Sequence, residues 1–93
     1  MKDLKETAKL MSSKNYKERF KAEYWQNKIR YEKLKDFNNK IEASRATCCE
    51  GAKVVEPLHD CPANLLKEQQ KIMGEYLHIL EVRAVIEGVD LNE

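Results

Sequence analysis

From Asn15 to Arg45 nothing in the chain breaks a helix, and that run limits the fold more than any other feature. It has neither glycine nor proline. It is roughly 30 residues long, about 45 Å at 1.5 Å per residue. Tyr16, Phe20, Tyr24, Tyr31, Leu34, Phe37 and Ile41 recur along it at helical spacing and share one face. Asn15 followed three residues later by Glu18 reads as a variant capping box at its start.

A second run answers the first. Pro62 suits the first position of a helix, with Asp60 or Cys61 near the cap, and Gly88 suits its stop. Between them Leu65, Ile72, Met73, Tyr76, Ile79, Leu80 and Ile86 make a broad apolar face. The stretch "ATCCEGAKVVEPLHDC" joins the two runs, and its "KVVEPL" has the composition of a brief extended segment. The expected organisation is a single all-α domain in five parts. Residues 1–13 form an N-terminal extension, in which Leu4, Ala8 and Met11 line one side of a short helix. Helix one occupies 15–45, a connecting loop 46–61, helix two 62–87 and a tail 88–93. The architecture is an antiparallel helical hairpin. Its apolar faces are wider than one partner helix covers, and a chain of 93 residues buries little core alone. Assembly as a homo-oligomer is therefore expected.

Polar residues interrupt these faces. Glu23, Asn27, Arg30 and Asn38 lie within the apolar arc of helix one; Gln69, Arg83 and Glu87 lie within that of helix two. Buried without partners, such groups are costly. In an antiparallel hairpin with helix ends near 45 and 62, facing residues sum to about 107, with an uncertainty of about one turn. Glu23 then faces Arg83, Arg19 faces Glu87 and Asn38 faces Gln69. One reading ties Arg83 to Glu23 as a register-fixing pair. The other has Arg83, with Arg30, in a pocket between protomers that receives an anion, since an arginine fork suits phosphate or carboxylate. Tyr24, Tyr31 and Tyr76 would stack on a base there, with Glu87 beside them.

Trp25 and Ile29 lie one turn apart, opposite the main apolar stripe. They are either a protein-binding interface or the seat on which the N-terminal helix folds back. Cys48, Cys49, His59 and Cys61 offer zinc-type ligands, but the spacing lacks a C-x-x-C pair, so no metal is assigned. The sequence has no glycine-rich phosphate loop, H-E-x-x-H or nucleophile elbow, and an enzyme is not expected. No cofactor is implied.

Charge is divided along the chain. Residues 1–45 carry 13 Lys/Arg and 7 Asp/Glu; residues 46–93 carry 4 and 9. A basic half and an acidic half suit pairing with each other and argue against general nucleic-acid binding. No apolar run is of membrane-spanning length, so no membrane partner is expected. "MKDLKETAKLMSS" lacks the apolar core of a signal peptide. With three cysteines, an odd number, these features suit a reducing cytoplasm.

The segments "NYKERFKAEYWQNKIRYEKLKDF" and "CPANLLKEQQKIMGEYLHILEVRAVIEGVDL" resemble a family of small phage and prophage proteins from gut and Firmicute bacteria, related to a crAss-like phage protein. Tyr16 to Leu34 match the first family pattern. Cys61 to Val89 match the second, with Cys-Pro, Leu-Leu, Gln, Met, Tyr-Leu, Glu-x-Arg-Ala and Ile-Glu-Gly in order. Asn27 stands where the family tends to have leucine. Residues 2–10 precede its usual start, and the "CCEG" loop departs from its linker. The resemblance implies a phage or prophage origin and the cytoplasm of a bacterial host. By analogy with small non-catalytic phage proteins, it also implies a role against host defence. Three expectations follow: an oligomer that sequesters a cyclic nucleotide or related immune signal, an inhibitor that binds a host defence protein, or a structural phage component with no ligand.

Overall fold

The computed structural model describes residues 3–48, 51 and 54–92. It contains three helices, α1 (Leu4–Met11), α2 (Tyr16–Ala46) and α3 (Ala63–Glu87). Among the described residues there is no strand; Val54 to Leu58 is irregular, and Lys53 of the "KVVEPL" stretch lies outside them. The molecule measures 53 × 25 × 21 Å, its long axis set by α2. That helix is central: α1 and α3 both pack on it and do not touch each other.

Each helix end has a local cause. Asp3 accepts from the Glu6 amide and starts α1. Asn15 starts α2 by accepting from the Lys17 amide. The predicted capping box is only half made, because the Asn15 amide donates to the Ser13 hydroxyl and not to Glu18. Pro62 is the N-cap of α3, not its first helical residue; its carbonyl accepts from the Leu65 and Leu66 amides, and no side chain caps the end. Gly88 ends α3 with φ +69°, a left-handed conformation that glycine adopts without the steric cost other residues meet.

The core lies between α2 and α3, with Phe20, Tyr24, Leu77, Leu80 and Ala84 joined by Val89 of the tail. Ile41 and Asn38 are buried nearer the connection. The register differs from the expected one by about a turn. The Tyr24 hydroxyl donates to Glu81 at 2.7 Å, the Tyr16 hydroxyl to Glu87 at 2.7 Å, and the Tyr31 ring lies 3.3 Å from where a Cβ on Gly74 would stand. These pairs sum to 103–105 rather than 107. Asn38 donates to the Leu66 carbonyl and to Gln70, at 3.1 and 2.9 Å, bridging one turn of α3 rather than meeting Gln69. Arg19 donates to the Ser13 carbonyl rather than to Glu87. Gly74 decides the shift: without a side chain it lets the Tyr31 ring sit against α3, and the helices settle where that ring fits.

The broad apolar face of α3 is divided by this packing. Leu80 is buried and Met73 half-buried, while Leu65, Ile72, Tyr76, Ile79 and Ile86 are exposed. Thr7 is the buried residue of α1, and Ala8 and Met11 of its expected face are exposed. Trp25 is covered by the C-terminal tail. Its indole N–H donates to the Leu91 carbonyl at 2.6 Å, and its ring meets Tyr24 edge-on at 5.3 Å.

The connection is tied back by a charged cluster. Arg45 donates to both carboxylate oxygens of Glu56, at 2.9 and 3.2 Å. His59 Nε2 lies 2.9 Å from Glu56, and Nδ1 lies 2.6 Å from the Cys61 carbonyl. Both ring nitrogens face oxygens that accept, so the doubly protonated imidazolium fits best. The Cys61 carbonyl and Glu56 raise the His59 pKa from 6.5, and Arg45 with His59 holds Glu56 down at about 2.

Two outcomes are expected. The His59 contribution is complete below pH 6.5 and fades as pH rises through its raised pKa; that of Glu56 is complete above pH 4.5 and fades toward about 2. Amide exchange across residues 54–61 should therefore be slowest, after correction for its intrinsic pH dependence, between those values. The correction-resistant rise at higher pH should vanish in His59→Gln. Trp25→Phe keeps an aromatic ring but loses the bond to Leu91 and part of the indole's packing, which together should cost at least about 1 kcal/mol. In exchange measurements it should free the Val89 to Asn92 amides before the rest of the chain.

Candidate functional site

The polar residues of the two apolar arcs meet on one long side of the hairpin. Tyr16 of α2 and Arg83 and Glu87 of α3 form a closed trio. The Tyr16 hydroxyl donates to Glu87 and accepts from Arg83 Nη2 at 2.9 Å, while Arg83 Nε donates to Glu87 at 3.1 Å. The guanidinium lies 5.0 Å from the centroid of the Phe20 ring. Arg83 thus meets neither Glu23 nor a buried environment; its side chain is 45 % exposed. A guanidinium has five N–H donors, and these bonds use two of them.

About two turns back along α3, the Tyr76 hydroxyl donates to Glu23, the acid expected opposite Arg83. Arg30 lies seven residues beyond Glu23, hence on the same flank of α2, exposed and, among the described residues, without a hydrogen bond or ion pair. Apolar Ile72, Ile79 and Ile86 border this face from α3.

The electrostatics follow the bonds. Glu87 raises the pKa of Tyr16 through their hydrogen bond, and that same bond, with Arg83, keeps Glu87 below the usual carboxylate range. Glu23 raises Tyr76 in the same way. Both phenols therefore stay protonated and both acids accept. The face offers a cation with free donors, a second cation, two acceptor carboxylates and a phenol ring.

Of the sequence-derived ligand candidates, Arg83 and Glu87 are in contact here and Tyr76 lies about two turns away on the same flank of α3; Arg30 touches none of them, and Tyr24 and Tyr31 lie elsewhere. Tyr24 is buried with its hydroxyl on Glu81, and burial first, then Glu81, pushes its pKa up to about 12. Tyr31 is half-buried against Gly74, with the Lys28 ammonium 5.9 Å from its centroid. They sit on the flank of α2 turned away from Arg83, because Gly74 and Glu81 draw them there. Tyr16 and Glu23 join the site instead. The signal for them was their spacing with Arg30 on one flank of α2; the assumed register gave Glu23 to Arg83 and left Tyr16 to the apolar face.

Trp25 and Ile29, the candidate interface, are both half-buried. Of the zinc-type ligands, Cys49 lies outside the described residues, and among the described residues no cluster of three or more His, Cys, Asp or Glu is placed to hold a metal ion. Among them, too, no helix is long and apolar enough to cross a membrane.

Neither a curated protein nor a solved structure matches this chain. A family model does match, over residues 14–86. That span takes in α2, the connection and all of α3 but its last residue, and so every member of the face just described except Glu87. The chain belongs to the Sequestin family.

Proposed function

We propose that this protein binds and withholds a nucleotide immune signal of a bacterial host, as a non-catalytic, phage-encoded counter-defence protein that acts as an oligomer in the host cytoplasm. The observation that carries the reading is the exposed Arg83, fixed by Glu87 and Tyr16 yet keeping donors free for a phosphate. Arg30 adds a second positive charge on the same side. The Tyr76 ring stands ready to stack on a base, and Glu87 and Glu23 accept from ribose hydroxyls or an exocyclic amine. A cyclic dinucleotide or cyclised ADP-ribose type of molecule has this mixture of phosphate, sugar and base. The family name, which denotes sequestration, supports binding over turnover. The resemblance to small phage proteins supports the setting.

Binding to a host defence protein through Trp25 has weaker support, because the indole N–H is already taken by the tail. A purely architectural Arg83 would account for the trio but not for its free donors.

Native mass spectrometry with a panel of cyclic and linear nucleotides should show one nucleotide class added in fixed ratio and recovered unchanged on denaturation. Arg83→Ala should keep the helical content and weaken uptake roughly 10- to 100-fold, the range for a hydrogen-bonded charge. No uptake from any class, or uptake indifferent to Arg83, would sink the reading. The two tyrosines separate the faces. Tyr76→Ala should weaken uptake by about 1–3 kcal/mol, the worth of a base stack. Tyr24→Phe should leave uptake unchanged while lowering stability. The reverse pattern would move the site to the other side of the hairpin.

A further inference from the structure

The guanidinium of the candidate site is not a bare cation. Arg83 Nε holds Glu87 at 3.1 Å, and the two side chains are 45 and 30 % exposed. Tyr16 bridges them, donating to one Glu87 oxygen and accepting from Arg83 Nη2. From a distance this pair is a dipole with no net charge. A second carboxylate stands near it. Glu23 raises the Tyr76 phenol through their hydrogen bond, and the Arg83 charge acts on that phenol in the opposite sense. Glu23, bonded to the same hydroxyl, therefore belongs to the surroundings of Arg83 as well.

The other cations of this side are set further off. Lys17 Nζ lies 3.5 Å from the Gly88 carbonyl, at the end of α3, where a positive charge meets the negative end of the helix dipole. Arg30 stands seven residues beyond Glu23, about 10 Å along α2. One guanidinium between two carboxylates draws a phosphate by directed hydrogen bonds rather than by net charge.

That difference decides which phosphate fits. A phosphate esterified on both sides carries one negative charge, whereas a terminal one carries about 1.5 to 2 at pH 7. The added charge is attracted by Arg83 and repelled by both Glu87 and Glu23, so it gains nothing from the face. Removing one carboxylate at about 6 Å from it would favour the terminal phosphate by roughly 3- to 10-fold in a half-wet setting. We propose that Glu87 and Glu23 select the ligand by charge, admitting a nucleotide whose phosphates are all internal diesters and offering no advantage to one with a terminal phosphate. The proposal rests on the nucleotide reading above and narrows it.

The probes are cyclic diadenylate, ApA and pApA, with their guanine counterparts, titrated into the full chain. ApA and pApA differ only in the terminal phosphate. Wild type should bind pApA no more tightly than ApA. Glu87→Gln keeps an acceptor for Tyr16 and Arg83 and loses the charge; it should move the ratio toward pApA by roughly 3- to 10-fold. Glu23→Gln should move it the same way. The shift should shrink at high salt, because exposed charges are screened. A merely loosened Arg83 would weaken all the probes alike and leave the ratio where it was. A wild type that prefers pApA, or a ratio unmoved in Glu87→Gln, overturns the proposal. So does uptake of the cyclic form alone by wild type and variant alike, since shape would then do the sorting. Those three outcomes leave the nucleotide reading standing; uptake of no probe at all removes that reading and this proposal with it.

Discussion

A single neighbour cannot cover a helix whose apolar side chains extend around more than half of its circumference, and α3 is such a helix. Packing on α2 buries Leu77, Leu80 and Ala84 and leaves Leu65, Ile72, Ile79 and Ile86 in solvent. The hydrophobic return on that exposed set is of order 1.5–3 kcal/mol per side chain fully covered. For a domain with so small a core, that is a large part of what is available. The position of the polar site follows from the same division. Arg83, Tyr76 and Glu87 stand at the edge between the buried and exposed halves of α3, where α2 supplies Tyr16 and Glu23 as partners.

Register is the second constraint, and small contacts fix it. Gly74 admits Tyr31, Tyr24 reaches Glu81, and Asn38 spans to Leu66 and Gln70. The Asn38 side-chain oxygen is buried without a partner, an expense of order 1–3 kcal/mol that its two donated bonds help to offset. Buried polar residues that cost stability and set alignment are known from coiled coils. A slip by one turn would separate Tyr16 from Glu87 and Tyr76 from Glu23, so the site is as sensitive to register as the core is.

Both ends of the hairpin are held by segments with little regular structure. At one end Val89 and Leu91 fold over Trp25, and the indole bond to the Leu91 carbonyl fixes them. At the other, Arg45, Glu56 and His59 pin the connection to the last turn of α2. Neither contact touches the Arg83 face. That face is therefore carried on two helices, a setting that suits the ligand-binding role proposed for it.

Much of this was legible in the residues. A long run free of glycine and proline dictates a helix through backbone energetics alone, and the Asn15, Pro62 and Gly88 signals mark its neighbourhood to within a residue. The excess width of the α3 face and the alignment of Tyr76, Arg83 and Glu87 along one flank of it follow from periodicity, which is a property of the chain. The partners were not legible. Whether Arg83 meets Glu23 or Glu87, whether Tyr24 faces the site or the core, and what covers Trp25 all depend on how far one helix slides along another. That distance is set by side-chain volume at a few contacts such as Gly74 against Tyr31, and a shift of one turn preserves the apolar pattern on both helices while exchanging every polar partner between them.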